Sequence, residues 1–152
     1  MAIEAPLSKY KKNNFRISIV VLVGLAIWFA YDGYFSKAFA QKHTNQNGTA
    51  DSTLVFNRKS PPYLLGAAFI LGIYLFAIKD KKMVAGEDSL VVGKLQIAYD
   101  SIQKIDKTHF NSKGYFVITY KDYQGVDTNL KISDRTYDNL GAILDVLIAK
   151  IS

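Results

Sequence analysis

A chain of 152 residues with a net charge of +6 has room for one ordinary domain, or for a small domain and a membrane anchor. It has no cysteine, which excludes disulfides, thiolate nucleophiles and Cys-ligated metal centres, and its two histidines, His43 and His109, lie far apart in the sequence. A mean hydropathy of +0.05 is high for a soluble domain and low for a polytopic transporter.

The basic excess sits beside the apolar runs. Lys9, Lys11, Lys12 and Arg16 outweigh Glu4 in residues 1–16, which form a polar N-terminal tail. Residues 79–152 carry 11 Lys/Arg against 10 Asp/Glu and are nearly neutral. A nucleic-acid binder concentrates its cations on the folded domain, so no nucleic-acid partner is expected.

Residues 17–31 are free of charge, and extending the helix to Phe35 gives a first transmembrane segment over 17–35. Trp28, Phe29, Tyr31, Tyr34 and Phe35 gather at its end as an interfacial aromatic belt would. The second run, residues 61–78, opens on Pro61-Pro62, which suits a helix start, and about 27 Å of helix is enough to span. A Lys-rich start followed by Ala38-Phe39-Ala40 imitates a signal peptide, but Asp32 and Lys37 make a poor cleavage context. The segment is expected to persist as an uncleaved anchor. Lys/Arg near the span ends favour the N-terminal flank and the Lys79–Lys82 flank as the inside, with the connecting loop outside. That topology implies an inner (cytoplasmic) membrane protein with both termini cytoplasmic.

Ala26/Ala30 and Ala68/Gly72 have small-xxx-small spacing, and the two spans are expected to pack as a hairpin. Asp32 is the one acid near a span. An interfacial ion pair with Arg58 or Lys59 at the same depth is expected for it. The outer loop, residues 36–60, holds an Asn47-Gly48 turn signal, and Asn47-Gly48-Thr49 is also a formal glycosylation sequon, read here as a turn. The loop is longer than two helices need, and its Leu54-Val55-Phe56 segment suggests packing against something.

After Lys82 the pattern shifts to short strands. Ser89–Val92 and Lys94–Tyr99 flank Gly93, Tyr115–Tyr120 is the strongest strand, and Val126–Ile132 returns from the turn at Gly125. Ser133 or Asp134 is expected to cap a last helix with an apolar stripe of Tyr137, Leu140, Ile143, Leu144, Leu147, Ile148 and Ile151. The fold class is therefore a membrane α-hairpin plus a small α+β domain, a curved antiparallel sheet capped by the C-terminal amphipathic helix.

The hairpin followed by Tyr99-Asp100-Ser101-Ile102, the Ile105-Asp106-Lys107 bend, the Gly114-led strand, the Gly125 hairpin and the final helix resembles small bacterial membrane proteins with a pleckstrin-homology-like (PH-like) domain. The resemblance covers about residues 82–152. It implies a scaffold or interaction module over residues 79–152, on the cytoplasmic side.

A lipid-headgroup site would draw on Lys104, Lys107 and Lys113, but Asp100, Asp106 and Asp122 interleave with them and lysine lacks the fork of arginine. General attraction of the flanking lysines to anionic lipid at the inner leaflet is expected instead. The acid pairs Glu87/Asp88 and Asp134/Asp138 lack a partner that would tune them for acid–base work, and phosphate-loop, nucleophile-elbow and metal-ligand spacings are missing from the sequence. No enzymatic activity and no cofactor are expected.

The expected function is an accessory or assembly subunit of a larger membrane complex, bound to other integral membrane subunits. Its contacts are assigned to Trp28, Phe29, Tyr34, Phe35, Leu54, Val55 and Phe56 outside, and to Ala68 and Gly72 within the bilayer. The alternative is a lipid-sensing or membrane-surface module acting alone or as a homo-oligomer. A small pore with Asp32 at its mouth is weaker, because the helices lack a polar inward face.

Overall fold

The computed structural model describes residues 2–152, which form two compact units: residues 2–12 with 78–152, and residues 13–77. The first unit begins with a strand near the start of the chain, β1 (Ile3–Pro6), which pairs antiparallel with β2 (Lys82–Ala85) from far along the sequence. Pro6 lacks an N–H and is tolerated because β1 is an edge strand. The N-terminal tail is therefore part of the sheet, and the helical unit is inserted between two neighbouring strands.

β2 continues through β3 (Ser89–Val92) to β4 (Leu95–Ala98), giving the order β1-β2-β3-β4. A 3-10 turn at Tyr99–Ser101 breaks the sheet. A second sheet then forms from β5 (Ile102–Asp106), β6 (Tyr115–Lys121) and β7 (Asp127–Ser133). The single curved sheet expected from the sequence is thus two antiparallel sheets of 4 and 3 strands, not closed into a barrel. A short helix, α4 (Phe110–Lys113), connects β5 to β6 and ends on Gly114 at φ +69°. The left-handed backbone there favours glycine, and any side chain would also have to displace the Asp134 carboxylate.

The last helix, α5 (Leu140–Ile151), buries Leu140, Ile143, Leu144 and Leu147 against Phe116, Ile118, Ile132, Leu90, Ile97 and Met83. It starts well after the point that a cap at Ser133 or Asp134 would set. The backbone groups in between are claimed by the end of β1: Asp138 N donates to Pro6 O and Ser8 N donates to Thr136 O, both at 2.9 Å. Asn139 then turns left-handed, at φ 60°, before the helix begins. Ser8 is fully buried. Its hydroxyl donates to Arg135 O at 2.6 Å and accepts from Lys11 N at 3.1 Å, which caps the next helix, and Asp138 accepts from Lys9 N.

That helix, α1 (Lys9–Ala30), runs on through a π-helical turn, Tyr31–Phe35. A short helix, α2 (Lys37–Lys42), follows, and α3 (Ser52–Ile78) returns. Each long segment, Lys9–Phe35 and Ser52–Ile78, has 27 residues and is long and apolar enough to cross a membrane. Both start earlier than the apolar runs. The residues expected at the end of the outer loop, Ser52–Ser60, are helical because Asp51 caps them, its carboxylate accepting from Leu54 N at 2.9 Å.

Along α3 the covered positions include Leu54, Asn57, Pro61, Leu64, Ala68, Leu71 and Leu75; along α1 and its π-helical turn they include Phe15, Ile19, Leu22, Ala26, Phe29 and Gly33. Steps of three and four make this a heptad seam, the geometry of left-handed antiparallel helix pairs. Phe15 meets Tyr74 with ring centroids 5.3 Å apart, and Phe29 meets Phe56 edge-on at 5.6 Å.

Candidate interaction site at the turn of the helical hairpin

The chemistry of the hairpin gathers where its two helices lose regular hydrogen bonding at the same level. Pro61 and Pro62 lie well inside α3 rather than at its start. Having no N–H, they leave the carbonyls four residues back, those of Asn57 and Arg58, without their helical donors. In lipid such groups must find partners from a neighbouring helix.

The π-helical turn supplies one for Arg58 O. Its closing bond, Ser36 N to Tyr31 O at 2.9 Å, spans five residues instead of four and widens the helix. Tyr34 then donates its hydroxyl hydrogen to Arg58 O at 2.9 Å. Arg58 answers by donating Nε–H to Gly33 O at 2.8 Å, and its guanidinium lies 6.0 Å from the centre of the Tyr34 ring. Gly33 is buried against Asn57: a Cβ built on it would stand 3.0 Å from both the carbonyl carbon and the oxygen of Asn57. Two prolines on one helix and a glycine and a tyrosine on the other thus form a reciprocal clasp.

The expected ion pair of Asp32 with Arg58 or Lys59 does not form. Asp32 instead accepts from the Trp28 indole N–H one turn back, at 2.8 Å, while Arg58 is turned onto Gly33. Arg58 Nε is taken by the Gly33 carbonyl, and the Asp32 carboxylate is already held by the indole.

Beyond the clasp the loop is closed by a second pair. His43 Nδ1 and Asp51 Oδ2 are 2.8 Å apart, His43 packs on Phe39, and Asp51 N donates to His43 O. The backbone N–H of Leu54 and then His43 hold the Asp51 carboxyl below the usual carboxylate range. His43 is thus a structural partner of the α3 cap. The Asn47-Gly48 turn forms as its sequence indicates, with Asn45 N bonded to Thr49 O and a bridge between Thr44 and Ala50.

The residues assigned to partner contacts separate into two groups. Trp28, Tyr34, Phe35 and Phe56 are exposed, Trp28 to 62% and Phe35 to 73%, and Val55 is partly so. Leu54, at 1% exposure, and Ala68 are consumed by the seam of the hairpin itself, because their heptad positions face the other helix. Gly72 has open space where a Cβ would go, and with Ile19, Val23, Leu65 and Phe69 it lines an apolar groove of about 480 Å³. Phe29 is half-covered by Phe56.

Lys104, Lys107 and Lys113 are exposed on β5, on the bend after it and on the last residue of α4. Lys107 lines a groove of about 550 Å³ with Phe110, Leu144, Asp145 and Ile148. Asp106 beside it is engaged by the Thr108 side chain and N–H, which lower its pKa. Tyr99, whose hydroxyl donates to Gly86 O, is raised by burial and then by the Asp88 charge, which keeps the phenol neutral.

Among the described residues there is no group of three or more His, Asp or Glu placed to hold a metal ion. No protein-family model, curated protein or solved structure matches this chain. The Gly33–Tyr34–Arg58 clasp escaped sequence analysis. Its signal was there: a Pro-Pro pair four residues after Asn57-Arg58, and an Asp-Gly-Tyr at the end of the other apolar run.

Proposed function

We propose that the chain is a non-catalytic accessory subunit of a larger membrane complex, in which a helical hairpin anchors a PH-like interaction domain. The observation that carries this reading is the aromatic shell at the turn of the hairpin. Trp28, Tyr31, Tyr34 and Phe35 stay exposed although the clasp fixes the backbone beneath them. A rigid backbone presenting aromatic side chains is what a protein contact within or beside a bilayer uses. The groove at Gly72 offers a second contact surface, where another helix could approach closely.

The PH-like reading is supported by strand order: four antiparallel strands, then three, then a helix that buries its apolar face on them. The pairing of β1 with β2 supports one compartment for both flanks of the hairpin, and the lysines of those flanks support the cytoplasmic side of an inner membrane. Native mass spectrometry after gentle extraction from the source membrane tests the reading. A fixed stoichiometry within a larger assembly upholds it. A chain that is found alone, or only with copies of itself, overturns it.

A further inference from the structure

We propose a phospholipid site on α3 at the turn of the hairpin, with Lys59 holding the phosphate and Phe56, Tyr63 and Leu64 holding an acyl chain. The site rests on the membrane-spanning reading but not on the existence of a larger complex. Phe56, Lys59, Ser60, Tyr63 and Leu64 follow one another at steps of three, one, three and one, so they share one face of α3 and line a groove of about 430 Å³. Its walls are apolar. Tyr63 is 78% exposed, and Phe56, although one edge meets Phe29, is still 57% exposed, so both keep free apolar surface.

Charge picks the occupant. The acids at this end of the unit are Asp32 and Asp51, and both are engaged: Asp32 by the Trp28 indole, Asp51 by Leu54 N–H and His43. Arg58 is turned onto Gly33. Lys59 belongs to no ion pair among the described residues and lines the groove beside the apolar run that begins at Pro61. Ser60 Oγ, in the same wall, is closed off from solvent and has no hydrogen-bond partner. An apolar trough with an unneutralised cation in its lining matches a molecule that joins an acyl chain to a phosphate. A helix from another protein would need a counter-charge at the same depth. Lysine binds phosphate as a point charge, so the preference falls on net-anionic headgroups rather than on one headgroup shape.

The test uses the purified full chain in detergent micelles doped with equal amounts of phosphatidylglycerol and phosphatidylcholine, with retained lipid counted by native mass spectrometry. One retained phosphatidylglycerol, favoured about five-fold over phosphatidylcholine, is expected, the factor one basic residue near a membrane surface supplies. Lys59→Gln abolishes the preference, Lys59→Arg keeps it, and Lys81→Gln, on the other flank of α3, leaves it unchanged. An unchanged preference in Lys59→Gln overturns the proposal, and so does an equal loss in Lys81→Gln, which would mean diffuse attraction only. Equal retention of the two lipids by the parent chain also overturns the site. Reconstitution into vesicles of the same lipids tests the premise separately: a chain that does not insert overturns the membrane-spanning reading itself.

Discussion

Tyr34 and Arg58 bind each other's surroundings in both directions: the Tyr34 hydroxyl donates to Arg58 O, and Arg58 Nε donates to the carbonyl of Gly33, next to Tyr34. Each bond answers a defect. Pro62 removes the donor that Arg58 O would have had, and the π-helical turn brings Tyr34 and Gly33 to that level. Since one defect explains the other's partner, the two should be coupled energetically.

A double-mutant cycle measures that coupling. Tyr34→Phe leaves Arg58 O without a donor and should cost about 1 kcal/mol in a membrane-like medium. In a Pro62→Ala background the restored N–H at position 62 can serve Arg58 O, and the same Tyr34→Phe change should cost markedly less. Thermal unfolding in detergent of the four proteins reads the difference. Equal costs in both backgrounds would mean that Tyr34 does not compensate for Pro62.

Gly33 lies directly against the backbone of Asn57 on the other helix. A Gly33→Ala methyl would meet Asn57 backbone at 3.0 Å, where little can yield, and a penalty of roughly 1–3 kcal/mol is expected. Gly24→Ala is the control, because a Cβ there meets nothing within 4 Å. Unfolding midpoints that fall equally for the two substitutions would contradict the seam described above.

These contrasts show what the sequence made legible. Long apolar runs and a β-branched, aromatic stretch such as Tyr115–Tyr120 carry their structure locally, and the helices and β6 formed there. The heptad seam could not be read, because a helix that is apolar all round hides which residues face its partner. β1 escaped because Ile-Glu-Ala-Pro is too short to show a period, and its pairing with β2 depends on residues far along the chain. The Asp32 ion pair failed for a related reason. Nothing local revealed that Pro61-Pro62 would redirect Arg58 to a backbone carbonyl.

Ser8 joins the chain start to the loop before α5, and its loss should be felt at both ends. Ser8→Ala leaves Arg135 O without its Ser8 donor, at about 1 kcal/mol, and removes the cap on Lys11 N. Amide exchange should quicken at Lys11 and in residues 134–139, while β6 keeps its protection. Exchange that rises uniformly over the whole unit would point to global destabilisation instead.

The Asp51 cap gives the loop a defined acid limit. The folded pKa is lowered below the ordinary carboxylate value of 3.8, so the stabilisation is fully present above that value and fades as pH falls through the lower folded value. Asp51→Ala should therefore unfold at a lower temperature than the parent at pH 7, with the gap narrowing only below about pH 4. A gap that already closes between pH 7 and pH 5 would mean that the ionised Asp51 carboxylate is not what holds the cap.

The absence of cysteine makes sidedness directly measurable, since any introduced thiol is the only one. Asn47→Cys falls on the exposed turn of the loop and Gln124→Cys on the exposed turn between β6 and β7. The Asn47 side chain bonds only to Thr49 within its own turn, and Gln124 is held through its backbone, so both proteins should fold as the parent does. In right-side-out vesicles a membrane-impermeant maleimide should label the Asn47→Cys protein at once and the Gln124→Cys protein only after permeabilisation, because the Lys/Arg excess flanking the spans lies on the Gln124 side. The opposite pattern would invert the topology, and with it the compartment in which the aromatic shell meets a partner. Immediate labelling of both would mean that the hairpin does not cross the bilayer at all.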